Sequence, residues 1–255
     1  MRIEIWSDVV CPWCYIGKRR LETALSTFEH ADDVEIIWRS YQLDPTAPRD
    51  QSLTTLEALG AKFPGGPDQV REMLARTRGV AAEEGLEFGD HSFHANTVDA
   101  HRVLHLALVE GGPTLQGALK EALLAAHFVD NANVGDHAVL TEVAVRTGLD
   151  AARVTAVLAG DEFADAVRAD IDQARALGAT GVPFFVLDRK YGVSGAQPAE
   201  SFTQVLEQAW ADAHPQITMV GQTPDGQTQD GQTRDGQTQG DETGDVACGP
   251  DGCAI

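Results

Sequence analysis

Cys11-Pro12-Trp13-Cys14 stands between a short apolar run, Ile3-Glu4-Ile5-Trp6, and a charged, helix-compatible stretch from Tyr15 to about His30. A dithiol on a strand-to-helix turn points to redox chemistry. Two thiols separated by two residues on the first turn of a helix can close a small disulfide with little backbone movement, and reopen it. The unpaired N–H groups of a helix start favour a thiolate, which predicts an outer cysteine below the free thiol value of about 8.5. Cys11 is then the attacking sulfur, and Cys14, one turn deeper, resolves the mixed disulfide. Pro12 suits a helix start because its missing N–H has no intrahelical acceptor there. Trp13 brings no charge to the dipeptide. Two other readings are half of a zinc site and two buried cysteines without chemistry. A four-thiolate zinc site needs a second pair at knuckle-like spacing, and the remaining cysteines, Cys248 and Cys253, lie far off in a tail, so no metal is expected.

A second motif follows late in the chain: Gly178-Ala179-Thr180-Gly181-Val182-Pro183, and then the apolar run Phe184-Phe185-Val186-Leu187. Alone, a proline at the start of a strand reads as an edge or turn proline in trans. Together, however, the strand-CPWC-helix opening, the late Thr-Gly-Val-Pro with its strand, the following Tyr191-Gly192-Val193-Ser194-Gly195-Ala196-Gln197 and the long helical stretch between resemble the DsbA-like thioredoxin-fold oxidoreductases. Within these, residues 1 to 213 look most like the cytoplasmic FrnE-type branch. The segment Phe93-His94-Ala95-Asn96-Thr97-Val98-Asp99-Ala100-His101-Arg102 is similar to that branch and to its relatives, the 2-hydroxychromene-2-carboxylate isomerases and kappa-class glutathione transferases. Those relatives carry a serine in place of the first cysteine, whereas this chain keeps both sulfurs. The resemblance implies a cis Pro183 facing the dithiol, a Val182 backbone that pairs an extended substrate beside Pro12 and Trp13, and Asn96, Thr97 and His101 at a helix start facing the sulfurs.

The elements that must position these groups can be read along the chain. Val34 to Tyr41 is predicted as a second strand, ended by Leu43-Asp44-Pro45. From Ser52 to about Ala176 the pattern is helical, with breaks at Phe63-Pro64-Gly65-Gly66-Pro67, Gly111-Gly112-Pro113, Asn131 to Asp136 and Gly148-Leu149-Asp150. A closing helix is expected from Pro198, in its first turn, to about Ala213. The expected fold class is α/β: a thioredoxin-like domain from residues 1–51 and 177–213, split by a helical insertion over 52–176.

Among the other polar residues, His91, His94, His101 and His105 suggest a metal cluster, since His101 and His105 share a helix face. No acid completes a ligand motif in sequence, and Asp99 falls on another face, so no metal is assigned to them. Asp90 and Asp136 read as turn or cap residues. Asp8, three residues before Cys11, could tune the thiol or start the turn, and the turn is the simpler assignment.

Beyond His214 the composition changes. Gly-Gln-Thr-x-Asp recurs from Gly221, Gly226 and Gly231, with a degraded copy from Gly236, a polar five-residue period that cannot build a core. Residues 214–255 are therefore expected to be a flexible linker ending in Cys248-Gly249-Pro250-Asp251-Gly252-Cys253. A linker of roughly 35 such residues spans on the order of 30 Å, enough to bring a second redox pair to the first at about millimolar effective concentration.

The formal net charge of −20, from 39 acidic and 19 basic residues, argues against nucleic acid and acidic surfaces as partners. Neither a signal-like segment nor a membrane-length apolar run is seen, and a cytoplasmic location is expected. There a C-x-x-C is more often catalytic than structural. The expected function is a thiol–disulfide oxidoreductase or isomerase acting on protein disulfides or dithiols, with no dissociable cofactor, fed by a small thiol or a thioredoxin-type donor. A glutathione-dependent isomerase or transferase of the same fold, and a redox-regulated chaperone or binding module, are the alternatives.

Overall fold

The computed structural model describes residues 1–49 and 53–215, and Met1–Gln216 form one compact unit. Its centre is β1 (Arg2–Ser7), whose run from Ile3 to Ser7 is buried on both faces. To one side β1 pairs in parallel with β2 (Glu35–Ser40), Ile5 opposite Trp38. To the other it pairs antiparallel with β3 (Phe184–Leu187), which forms a hairpin with β4 (Tyr191–Ser194), giving the order β2-β1-β3-β4. The three-residue connection Asp188-Arg189-Lys190 turns through positive φ at Asp188 and Arg189, 44° and 56°, with Lys190 N donating to Leu187 O at 2.9 Å, a β-turn of primed type.

Alternation along β1 separates two layers. Ile3 and Ile5 pack with Phe185 of β3 against α1 (Pro12–Ser26) and α8 (Ala199–Ala213). Trp6 faces the other way, with Phe184, Val186 and Ala174 of α7 (Ala164–Ala176). α1 stops at Ser26, short of the expected His30, because Thr27 caps it and the chain turns through a short 3₁₀ segment into β2. Pro198 is the N-cap of α8, one position before the first turn expected for it.

Between β2 and β3 the chain is helical: α2 (Thr55–Gly60), α3 (Gly66–Glu83), α4 (Val98–Phe128), α5 (His137–Thr147), α6 (Ala151–Ala159) and α7. Side-chain caps and a left-handed glycine explain most of these ends. Thr54 and Glu57 form a reciprocal capping box on α2, Asp136 and Asp150 cap α5 and α6, and Gly148 closes α5 in the left-handed region at φ 115°. Gly111-Gly112-Pro113, expected to end a helix, instead kinks one: Gly112 adopts φ 67° and Pro113 restarts the helix, so α4 runs on for 31 residues. α4, α5 and α6 enclose the largest core, which also takes in Val9, and a smaller one joins α1 to α3 and α4 through Tyr15, Ile16, Leu86 and Phe128.

The long α4 has a second task. β2 is an edge strand, and Gln116 of α4 caps its free side: Trp38 N donates to Gln116 Oε1 and Gln116 Nε2 donates to Trp38 O, both at 2.9 Å. Asp170 of α7 continues this cover by accepting from Ser40 N at 2.8 Å. The edge is thus closed by side chains that helical periodicity alone would not single out.

Candidate active site

Cys11 is the N-cap of α1 and Cys14 lies within its first turn, the Cys14 amide donating to the Cys11 carbonyl at 3.0 Å. Both sulfurs are free and both residues are buried, whereas Trp13 between them is 42% exposed. The Val182–Pro183 peptide is cis, and Cys11 Sγ donates to the Val182 carbonyl at 3.6 Å. The turn before β3 therefore sits against the mouth of α1. Gly17 permits that fit, since a Cβ there would stand 3.1 Å from Pro183 Cγ and 3.3 Å from Phe185 Cζ. Beside Pro12, a small cleft of about 60 Å³ opens between α3 and α4, with Leu74, Phe88 and Phe128 among its walls.

The floor beneath the sulfurs is polar and closed to solvent. Asp8 is buried, and its carboxylate accepts from Leu43 N at 2.8 Å and from His101 Nε2 at 3.3 Å. Burial works against its ionisation, yet the His101 hydrogen bond, the Leu43 amide and Lys120 together hold the carboxyl below its ordinary value. Burial pushes His101 down, so the pair is a carboxylate and a neutral imidazole that donates through Nε2. The expectation that Asp8 merely starts the turn is corrected in part. Its carbonyl does accept from Cys11 N at 3.3 Å, but its side chain is a buried charge under the dithiol.

The two thiols do not ionise alike. Cys11 is pushed well up by its hydrogen bond to the Cys14 sulfur, by burial and by the nearby Cys14 and Asp8 charges. Cys14 is held down in spite of burial, because the Cys11 thiol, the Lys120 ammonium and the Asp8 amide all favour its thiolate. The helix start favours charge on the outer sulfur, but the two thiols are coupled through their shared hydrogen bond, the Asp8 carboxylate acting against a thiolate on Cys11 and Lys120 favouring one on Cys14.

The remaining candidates fall elsewhere. Asn96 locks the entry to α4, donating to Ala47 O at 2.7 Å and accepting from Val98 N at 3.1 Å, and Thr97 is the N-cap with no side-chain bond. Of the three residues placed at this helix start by resemblance, His101 alone among the described contacts reaches the site, through Asp8. The other histidines are dispersed: His94 meets Asp44 at 3.1 Å and His105 meets Asp170 at 3.0 Å and Ser40 at 3.1 Å. Asp90 is exposed, 3.7 Å from Arg78. Cys248 and Cys253 lie outside the described residues. A polar hollow of about 440 Å³ near the start of α4 is lined by neither cysteine nor Pro183, and its buried Asp99 and Arg102 are bonded to each other at 2.8 Å.

Sequence reasoning missed Lys120, in the middle of α4. It is fully buried, donates to Ser7 O at 3.4 Å and lies 5.5 Å from the Trp38 ring centroid. A lysine inside a helix ordinarily reads as a solvent-facing residue, and the single signal was its position on the apolar face of α4. Among the described residues no helix is long and apolar enough to cross a membrane.

Comparisons with known proteins agree with this geometry. Residues 2–207 match the family model described as the DSBA-like thioredoxin domain. A probable DsbA oxidoreductase from Streptomyces coelicolor is 48% identical in sequence and superposes with a TM-score of 0.79, over 86% of this chain and 94% of that one. Two more distant structures share the fold: a 2-hydroxychromene-2-carboxylate isomerase, 13% identical with a TM-score of 0.62 over 84% of this chain and 98% of that one, and the cytosolic disulfide reductase DsbM of Pseudomonas aeruginosa, solved with GSH, 18% identical with a TM-score of 0.59 over 82% and 99%.

Proposed function

This chain belongs to the family of DSBA-like thioredoxin domains, and on that footing we propose that it exchanges disulfides with protein substrates through Cys11 and Cys14. The observation that carries the reading is the approach of Cys11 Sγ to the Val182 carbonyl, 3.6 Å away on the turn that leads into β3. An extended substrate pairing with the Val182 backbone would bring its own disulfide to Cys11, with Trp13 and the cleft beside Pro12 receiving neighbouring side chains. Cys11, its proton passed to Cys14, attacks as a thiolate; the substrate's distal sulfur leaves and takes that proton from Cys14; Cys14, now a thiolate, attacks Cys11 Sγ, and the second substrate sulfur leaves as a thiolate that water protonates. Run backwards, the oxidised pair accepts two electrons from a substrate dithiol. No bound cofactor enters either direction.

Several finer points belong to the same proposal. The cysteine at position 11, where the isomerase relatives carry serine, favours dithiol exchange over glutathione-dependent isomerisation. A small thiol such as glutathione or a thioredoxin-type donor would reset the pair, in a cytoplasmic setting, by analogy with the named activity of DsbM. Cys248 and Cys253 would serve as a second redox pair exchanging with the first; their support is the C-x4-C spacing and the polar repeat that precedes it.

Insulin-disulfide reduction driven by dithiothreitol tests the reading with wild type, Cys11→Ser and a truncation after Ala213. Loss of turnover in Cys11→Ser is expected, with a further partial loss on truncation. Turnover that survives Cys11→Ser would overturn the dithiol mechanism, and full turnover after truncation would remove the second pair.

A further inference from the structure

We infer that Lys120 is a positioning residue of the dithiol: its ammonium holds Cys14 as a thiolate while Cys11 carries the mixed disulfide, and it gives up its proton when Cys14 enters the disulfide. The inference rests on the dithiol reading above.

Buried lysines either extend their ammonium to solvent or meet a carboxylate. Lys120 does neither. It has no exposure, and among the described residues no carboxylate lies within ion-pair distance of it. Its polar contact is the Ser7 carbonyl, at the end of β1 directly before the turn that carries the dithiol. The anionic charges that act on it are Cys14 first, then Asp8 and Cys11. Asp8 is already engaged by His101 and the Leu43 amide, which leaves the Cys14 sulfur as the anion without another full counter-charge.

The other groups packed around it do not replace that role. Trp38 of β2 offers a ring face, and Lys18 of α1 repels Lys120 while being neutralised by Glu22 and Glu121. His101 of α4 is neutral, and burial pushes His127 of the same helix down to about 4, so it too is uncharged near pH 7. Burial lowers Lys120 itself to about 8, with the Cys14, Asp8 and Cys11 charges acting the other way. It therefore sits where the gain or loss of one adjacent anion decides whether it keeps its proton.

In the mixed disulfide the proton that Cys11 passed to Cys14 has left with the first substrate sulfur, so Cys14 is a thiolate beside the Lys120 ammonium. Cys14 Sγ attacks Cys11 Sγ, the Cys14–Cys11 bond forms, and the bond from Cys11 to the substrate sulfur breaks, its electron pair leaving with the substrate. The enzyme pair is oxidised by two electrons and the substrate disulfide reduced by two. Lys120, now without its anion, releases its proton to water, and the departing thiolate takes one up.

Linkage makes this measurable, because an ammonium that stabilises a thiolate must itself be stabilised by that thiolate to the same degree. In the wild-type full chain labelled with ¹⁵N-lysine, the Lys120 Nζ signal is titrated in the reduced and disulfide forms, with Lys120→Met used to assign it. The midpoint is expected to fall by at least one pH unit on oxidation. Equilibration with glutathione should show Lys120→Met about tenfold more reducing, equivalent to about 30 mV, with Lys120→Arg closer to wild type. An unchanged Lys120 midpoint in a pair that oxidises normally would overturn this inference alone, and the wild-type titration decides the matter even if Lys120→Met does not fold. A Cys11–Cys14 pair that cannot be oxidised would overturn both this inference and the dithiol reading.

Discussion

Replacing Asp8 by alanine should expose how much of the site depends on one buried charge. Two donors lose their acceptor: Leu43 N, at 2.8 Å, and His101 Nε2, at 3.3 Å. His101 is 1% exposed and its face of the site is closed, so water cannot easily take the carboxylate's place. At about 1–3 kcal/mol for each of the two buried groups left unpaired, the substitution should cost about 2–6 kcal/mol. For a folded body of this size that is a fall in Tm of roughly 4–24 °C. Asp8→Asn keeps an acceptor for Leu43 N and, if His101 changes tautomer, a donor for the imidazole, so it should recover at least half of the loss. The charge has a separate effect: the Asp8 carboxylate disfavours a thiolate on Cys11, so Asp8→Asn should lower the thiol titration followed by thiolate absorbance and make the pair more oxidising. Thermal denaturation and glutathione equilibration check the two parts. Stability within 0.5 kcal/mol of wild type for Asp8→Ala, on the scale of an ordinary surface change, would refute the buried-acceptor argument.

Other consequences follow from the same reasoning. Gln116→Leu leaves the Trp38 N–H and carbonyl unpaired on the β2 edge, so a loss of about 2–4 kcal/mol in urea unfolding is expected, with the m-value unchanged. Glu121 offers a pH test. Burial opposes its ionisation, but Arg19, Lys18 and the Tyr15 hydroxyl hold it down to about 2 from 4.5. A depressed carboxyl contributes stability that is complete above its unfolded value and is lost as pH falls through its folded one. With its side chain one-third exposed, solvent screening limits that contribution to about 1–2 kcal/mol, so the gap in stability between wild type and Glu121→Gln should shrink between pH 4.5 and 2.

The parts of the site that were legible in the sequence are those in which chemistry and local geometry share a few residues. Cys11-Pro12-Trp13-Cys14 names both a strand-to-helix turn and a thiol pair, and Gly181-Val182-Pro183 marks the entry to a strand. The helix ends at Asp136, Gly148 and Asp150 fall at breaks marked by a few neighbouring residues. What stayed hidden depends on partners far apart in the chain. His101 finds Asp8 across 93 positions, and Gln116 finds Trp38 across 78. Neither spacing leaves a periodic trace. Lys120 was hidden for a related reason, since only the packing of α4 over the end of β1 turns a helix lysine into a buried cation. The same packing adds charges that local helix geometry does not show, since the Asp8 carboxylate acts against a thiolate on Cys11 and Lys120 favours one on Cys14. Gly111-Gly112-Pro113 shows the limit of punctuation: the residues require a break in φ, and tertiary contacts keep helix on both sides of it.

Trapping the intermediate shows most directly which sulfur meets the substrate. Cys14→Ser, incubated with a disulfide-containing protein and analysed by mass spectrometry after acid quenching, should accumulate a mixed disulfide on Cys11, while Cys11→Ser under the same conditions accumulates none. An adduct on Cys14 in Cys11→Ser, or no adduct on Cys11 in Cys14→Ser, would contradict the mechanism.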